Sequence, residues 1–137
     1  MLFLSQPLGV GFSYSGKEPG SLSNITGTFQ SEPVQGRYPT INASAIDTTD
    51  LAAIAAWEVI QGFYSALPQL DSNVSSTKFN LATESYGGHY GPAFFSYFYE
   101  QNQAIANGSA QGKAMDFDSL TIINGIIDEY IQVVSPM

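Results

Sequence analysis

Lys78-Phe79-Asn80-Leu81-Ala82-Thr83-Glu84-Ser85-Tyr86-Gly87-Gly88 is the stretch on which the reading of this chain turns. Lys78 to Thr83 predicts a short strand, and the glycines after Ser85 predict an abrupt turn. A serine set between a buried strand and a following helix, flanked by small residues, is the arrangement of a nucleophile elbow. Such a bend strains the backbone and lifts the hydroxyl out of the sheet. It also leaves the amide of Tyr86 free to face a developing oxyanion, aided by the helix N-terminus. Glycine is wanted two residues to either side, because side chains there collide as strand and helix close. Gly87 meets that demand and Thr83 does not, so the Gly-x-Ser-x-Gly pattern is matched in part. Read alone, the segment leaves a catalytic serine and a plain structural turn both open.

Outward from this segment the chain alternates strand and helix patterns. Asp47-Thr48-Thr49-Asp50 offers an N-cap, and Ala53, Trp57, Ile60, Tyr64 and Leu67 recur at helical spacing, with Pro68 closing the helix. That stripe is expected to pack on a sheet. Downstream, Pro92 to Gln101 has helix length, with Pro92 suited to the first helical position and Gly108 beyond the end. Leu120-Thr121-Ile122-Ile123 reads as a buried strand stopped by Asn124-Gly125, and Met1 to Leu4 as another stopped by Gln6-Pro7. Strand, helix, strand, helix, strand is the order of a parallel α/β sheet with right-handed crossovers, here an incomplete sheet of three strands. Lys17 to Asn42 reads as a long surface excursion without a sustained period. Gly9-Val10-Gly11 imitates a dinucleotide fingerprint briefly, but Tyr14 stands where its third glycine belongs, so nucleotide binding is rejected.

Composition narrows the function classes. The chain has 137 residues, 44% hydrophobic and 12% charged, which excludes intrinsic disorder and a membrane span. A net charge of −8 repels phosphate backbones and anionic lipid, so neither nucleic acid nor membrane is an expected partner. Without cysteine there is no disulfide, no cysteine-type zinc site and no thiol nucleophile, and one histidine, His89, is too few for most transition-metal sites. The pairs Asp116 with Asp118 and Asp128 with Glu129 lack the glycine and terminal glutamate of a calcium loop and read as solvated turns. No metal and no cofactor is expected. Four of the seven asparagines, Asn24, Asn42, Asn73 and Asn107, head N-x-[ST] sequons. Chance would give about one, so glycosylation in a secretory pathway is expected. Met1 to Leu4 lacks a basic flank and ends too early for a signal peptide, so any targeting signal is expected upstream of an internal start.

Thr83-Glu84-Ser85-Tyr86-Gly87-Gly88-His89-Tyr90-Gly91-Pro92 resembles the nucleophile segment of the serine carboxypeptidases, where Gly-Glu-Ser-Tyr-Ala-Gly-His-Tyr-x-Pro is usual. Leu2 to Tyr14 is similar to that family's Asp-Gln-Pro-x-Gly-x-Gly-Phe-Ser-Tyr strand and loop, and Ile123-Asn124-Gly125 to Asp128 to its Gly-Asn-Gly-x-x-Asp stretch. The helix from Asp50 resembles the one before the nucleophile strand, and the Thr-Glu-Ser-Tyr-Gly-Gly form resembles a fungal branch. The resemblance implies the α/β-hydrolase fold and a secreted or vacuolar exopeptidase that removes C-terminal residues of peptides and proteins at acidic pH. It implies Ser85 as nucleophile, the Tyr86 amide in the oxyanion hole, and Glu84 in a carboxyl pair that recognises the substrate's terminal carboxylate. Two carboxyl groups in contact cannot both stay ionised, which is the reason for an acidic optimum.

Departures from the family pattern imply that residues 1–137 are an internal fragment of a single α/β-hydrolase domain. The family's Asn-Gly-Gly-Pro-Gly segment and the triad's Asp and His have no counterpart in the chain, Ser5 replaces an Asp, and His89 matches a structural histidine. The chain alone is therefore expected to be nearly inert. The alternatives are an esterase or lipase of the same fold, which would not need Glu84, and a non-catalytic secreted glycoprotein derived from the family.

Overall fold

A computed structural model describes residues 1–13, 15–23, 25, 26, 28–30, 36–40, 42–76 and 78–134. Contacts divide the chain into two units, Met1–Asp47 and Thr48–Met137.

The first unit is built from two small antiparallel pairs. Strand β1 (Gly16–Pro19) pairs with β4 (Arg37–Thr40), Gly16 opposite Thr40, and β2 (Ser21–Leu22) pairs with β3 (Phe29–Gln30). The segment read as one irregular excursion thus holds short ladders. Their four-residue and two-residue lengths are below what periodicity can register. Met1 to Leu4, expected as a buried strand, forms none, and Met1 and Phe3 are fully or largely exposed. An apolar run becomes a buried strand only beside a neighbour, and no described strand pairs with this one.

The second unit carries the core. After a 3₁₀ turn (Ala43–Ala45) that closes the first unit, α1 (Thr49–Leu70) begins where the sequence predicts: the Thr48 hydroxyl accepts from the Leu51 amide at 3.2 Å, with Asp50 in the first turn. Pro68 does not close the helix but sits inside its last turn. Proline has no N–H to give the carbonyl four residues back. That carbonyl, on Tyr64, accepts from Lys113 Nζ at 3.2 Å instead.

Strand β5 (Lys78–Glu84) runs parallel to β6 (Asp116–Ile123), Lys78 opposite Asp116 and Glu84 opposite Ile123, with a bulge after Phe79. Helix α2 (Gly87–Ala106) connects them, and α3 (Glu129–Val134) follows. The observed sheet is therefore a two-stranded parallel one with flanking helices, not the three strands expected. Helix α2 also starts five residues earlier than read, at Gly87, leaving Pro92 in its interior. Two glycines in a first turn argue against a helix by propensity, but close packing against β5 and the following loop overrides it. Asp116 and Asp118 stand in β6, not in a turn, and Asp118 pairs with Lys78 at 3.1 Å.

The core gathers on α2. Phe98 is fully buried and meets Trp57 of α1 at 5.6 Å, Phe79 of β5 at 5.7 Å and Phe94 at 5.9 Å between ring centroids. Ala52, Ala53, Ala56, Trp57 and Ile60 form the buried face of α1, and its chief partner is α2, whereas the sequence pointed to the sheet. Two side-chain amides fasten the segment before β6. Gln61 exchanges hydrogen bonds with Lys113 N–H at 2.7 Å and its carbonyl at 3.0 Å. Asn102 does the same with Met115, at 3.0 Å and 2.7 Å.

Candidate active site

Along β5, Phe79, Leu81 and Thr83 are half-buried while Asn80, Ala82 and Glu84 are exposed. The alternation ends at Ser85, whose φ of 57° reverses the chain into α2. An L-residue in that region costs about 1–2 kcal/mol, so the turn must be held from outside. It is held by three backbone hydrogen bonds. The Ser85 amide donates to the Ile123 carbonyl at 3.0 Å, and the Ser85 carbonyl accepts from Gly88 at 3.0 Å and from Ile126 at 2.8 Å. Main-chain atoms of β6 and of the loop after it thus grip the main chain of the serine on both sides. Asn124, the first residue of that loop, is itself at a φ of 47°.

The side chain left over is accessible. Ser85 is exposed, and among the described residues its hydroxyl has no hydrogen-bond partner and the Tyr86 amide donates to none. Both lie at the N-terminal end of α2, where unpaired amides and the helix dipole favour developing negative charge. A hydroxyl with a free neighbouring amide at a helix start can attack a carbonyl and hold the resulting oxyanion.

Close packing explains the glycines. A Cβ on Gly87 would lie 2.5 Å from Thr83 Cβ, and one on Gly91 would lie 2.9 Å from Thr83 Oγ1. Thr83 occupies the space that the usual first glycine would leave, so the opposite side of the joint must be bare. The Thr83 hydroxyl donates across the gap to the Gly87 carbonyl at 3.0 Å. A Cβ on Gly88 would collide with the backbone of Ile126, and one on Gly125 would lie 3.3 Å from the Gly88 Cα. Sequence reading singled out Gly87 but missed Gly88, Ile123 and Ile126 as the grip on Ser85. The Asn-Gly pair that ends β6 was the visible signal.

Other residues singled out from the sequence fall as follows. The Glu84 carboxylate, exposed at the end of β5, has no ion pair or hydrogen bond among the described residues. His89 lies in the first turn of α2 with its ring against Tyr86, centroids 4.7 Å apart, and its Nε2 is buried without a partner among the described residues. No described histidine or carboxylate hydrogen-bonds the Ser85 hydroxyl. Asn42, Asn73 and Asn107 are exposed, and Asn24 lies outside the described residues. Asp128 caps α3, its Oδ1 accepting from Ile131 at 2.9 Å. Among the described residues no cluster of three or more metal-ligating side chains occurs, and no helix is long and apolar enough to cross a membrane.

Comparison with known proteins covers the same residues. Carboxypeptidase S1 of Penicillium janthinellum is 35% identical over 132 residues, taking in 96% of this chain and 24% of that protein. Carboxypeptidase S1 homolog A of Trichophyton rubrum is 34% identical, over 98% of the chain and 23% of its own length. The vacuolar serine-type carboxypeptidase ATG42 of Saccharomyces cerevisiae is 30% identical, over 96% and 18%. The chain spans about a quarter or less of the length of these relatives. No solved structure matches it. The family model described as serine carboxypeptidase matches residues 1–137 without remainder, elbow and flanking elements included, and the chain belongs to that family.

Proposed function

We propose that this chain is the nucleophile-bearing part of a serine-type carboxypeptidase that releases C-terminal amino acids of peptides and proteins at acidic pH. The observation that supports this reading most is the exposed Ser85 hydroxyl at a left-handed turn between β5 and α2, beside the unpaired Tyr86 amide. In the reaction Ser85 Oγ attacks the scissile carbonyl carbon and the Tyr86 N–H stabilises the oxyanion. The C–N bond then breaks to leave an acyl-serine and a free amino acid, and water hydrolyses the ester. Glu84, next to the nucleophile, helps to recognise the substrate's terminal carboxylate once a second carboxyl group shares its proton. The proton acceptor for Ser85 and its orienting acid come from outside these residues, so residues 1–137 form an incomplete α/β-hydrolase domain, nearly inert alone. The sequons carry N-linked glycans, and the protein resides outside the cell or in a vacuole.

The test is covalent. In the complete reading frame, a fluorophosphonate probe is expected to label Ser85, and Ser85→Ala to abolish both labelling and amino-acid release from blocked dipeptides. In the isolated chain, labelling is expected to be slower by several powers of ten. Release unaffected by Ser85→Ala would sink the assignment. Ester hydrolysis without peptide hydrolysis, unchanged by Glu84→Gln, would point to an esterase of the same fold.

A further inference from the structure

The chain contains two Asn-Gly pairs, Asn107-Gly108 and Asn124-Gly125, and the fold treats them oppositely. At such a pair the glycine nitrogen can attack Cγ of the asparagine, because no Cβ on glycine hinders the approach. A bond forms between that nitrogen and Cγ, and the Cγ–Nδ2 bond breaks. Nδ2 departs as ammonia, carrying the proton that the glycine amide gives up. Water then opens the five-membered imide at one carbonyl or the other, leaving aspartate or isoaspartate. Two things oppose the first step: hydrogen bonds that fix the asparagine carboxamide, and a hydrogen bond that engages the glycine N–H.

At Asn107 both restraints are present. Its Oδ1 accepts from the Ser109 amide at 3.0 Å and from the Ser109 hydroxyl at 2.6 Å, and the Gly108 N–H donates to the Ile105 carbonyl at 3.1 Å. At Asn124 neither is. The residue is exposed, and among the described residues its side chain makes no hydrogen bond and the Gly125 N–H has no acceptor. Its backbone stands at a φ of 47°, a left-handed conformation that asparagine tolerates, between Ile123 and Ile126, which are both hydrogen-bonded to Ser85.

We propose that Asn124 is a site of spontaneous deamidation in the folded chain and that Asn107 is protected from it. The product has a consequence for the elbow. Isoaspartate at 124 adds one carbon to the main chain between Ile123 and Ile126, whose carbonyl and amide grip Ser85, and either product adds a negative charge to this loop.

The experiment uses the full chain produced without glycosylation, so that the Asn107 carboxamide is unmodified. It is incubated at mildly alkaline pH in heavy-oxygen water, with a parallel sample in concentrated urea. Trypsin cleavage after Lys113 places the two pairs in separate peptides for mass spectrometry. In native buffer the Asn124 peptide is expected to convert several-fold faster than the Asn107 peptide, with solvent oxygen incorporated and both aspartate and isoaspartate formed. In urea the two rates are expected to converge, because the discrimination comes from the fold. Equal rates in native buffer, or faster conversion at Asn107, would overturn the proposal.

Discussion

Thr83 and Gly87 form a matched pair: the threonine hydroxyl donates to the glycine carbonyl at 3.0 Å, while the threonine Cβ fills the space a side chain on residue 87 would need. Gly87→Ala is therefore expected to cost about 2–3 kcal/mol in urea denaturation through overpacking. Thr83→Gly introduced with it is expected to recover most of that loss. A double-mutant cycle with no coupling between the two positions would show that the contact is slack.

Strain at Ser85 gives the second prediction. Ser85→Gly frees the left-handed turn and is expected to stabilise the chain by about 1 kcal/mol, offset in part by the flexibility glycine gives the unfolded state. Ser85→Ala keeps the strain and is expected to leave stability within about 0.5 kcal/mol of the parent. Both substitutions remove the hydroxyl and are expected to abolish labelling by the phosphonate probe. Stability lost in the alanine variant would mean that the hydroxyl itself, and not the backbone grip, holds the turn.

The two amide clamps differ in burial, and their deletion is expected to differ accordingly. Asn102→Ala leaves the N–H and C=O of buried Met115 unpaired and is expected to cost about 2–3 kcal/mol. Gln61→Ala breaks an exposed pair to Lys113, where water replaces the lost bonds, and is expected to cost about 1 kcal/mol or less. Chemical denaturation of the two variants side by side checks the ranking.

Alkaline pH supplies the fourth test. Burial raises the Tyr64 phenol above its ordinary value of 10.0, and burial followed by the charges of Glu58 and Glu100 raises Tyr97. A group whose pKa is higher folded than unfolded binds its proton more tightly in the folded state. Its contribution is thus fully present below the unfolded pKa and is lost as pH rises through the folded one. The urea midpoint is expected to fall from about pH 10 upward, and to fall less in the Tyr64→Phe, Tyr97→Phe double variant. A midpoint that drops equally in both chains would assign the loss to other groups.

What could be read in advance was whatever local chemistry dictates. Thr48 is a helix cap by its own hydroxyl, Asn124-Gly125 stops β6 by its own backbone preferences, and Ser85 announces a turn through the glycines that follow it. Features that depend on a distant partner were misread. Met1 to Leu4 looks like a strand because its residues are apolar, yet pairing is a property of two segments. Gly87 and Gly88 look like a loop because glycine disfavours helix, yet Thr83 and the Ile126 backbone leave room for nothing larger. The stripe on α1 marks one face of the helix but not its partner, and the aromatic rings of α2 supply that partner.

The joint between α2 and the loop after β6 is made of main chain: Gly88 meets the Ile126 backbone, and Ser85 is tied by carbonyls and amides alone. Such a fastening is indifferent to what its residues carry outward. Ile123 and Ile127 are both exposed here, and their side chains take no part in the ties. The surroundings of the serine are in this sense upholstery on a fixed frame, open to re-covering in descendants of this chain while the frame keeps its shape.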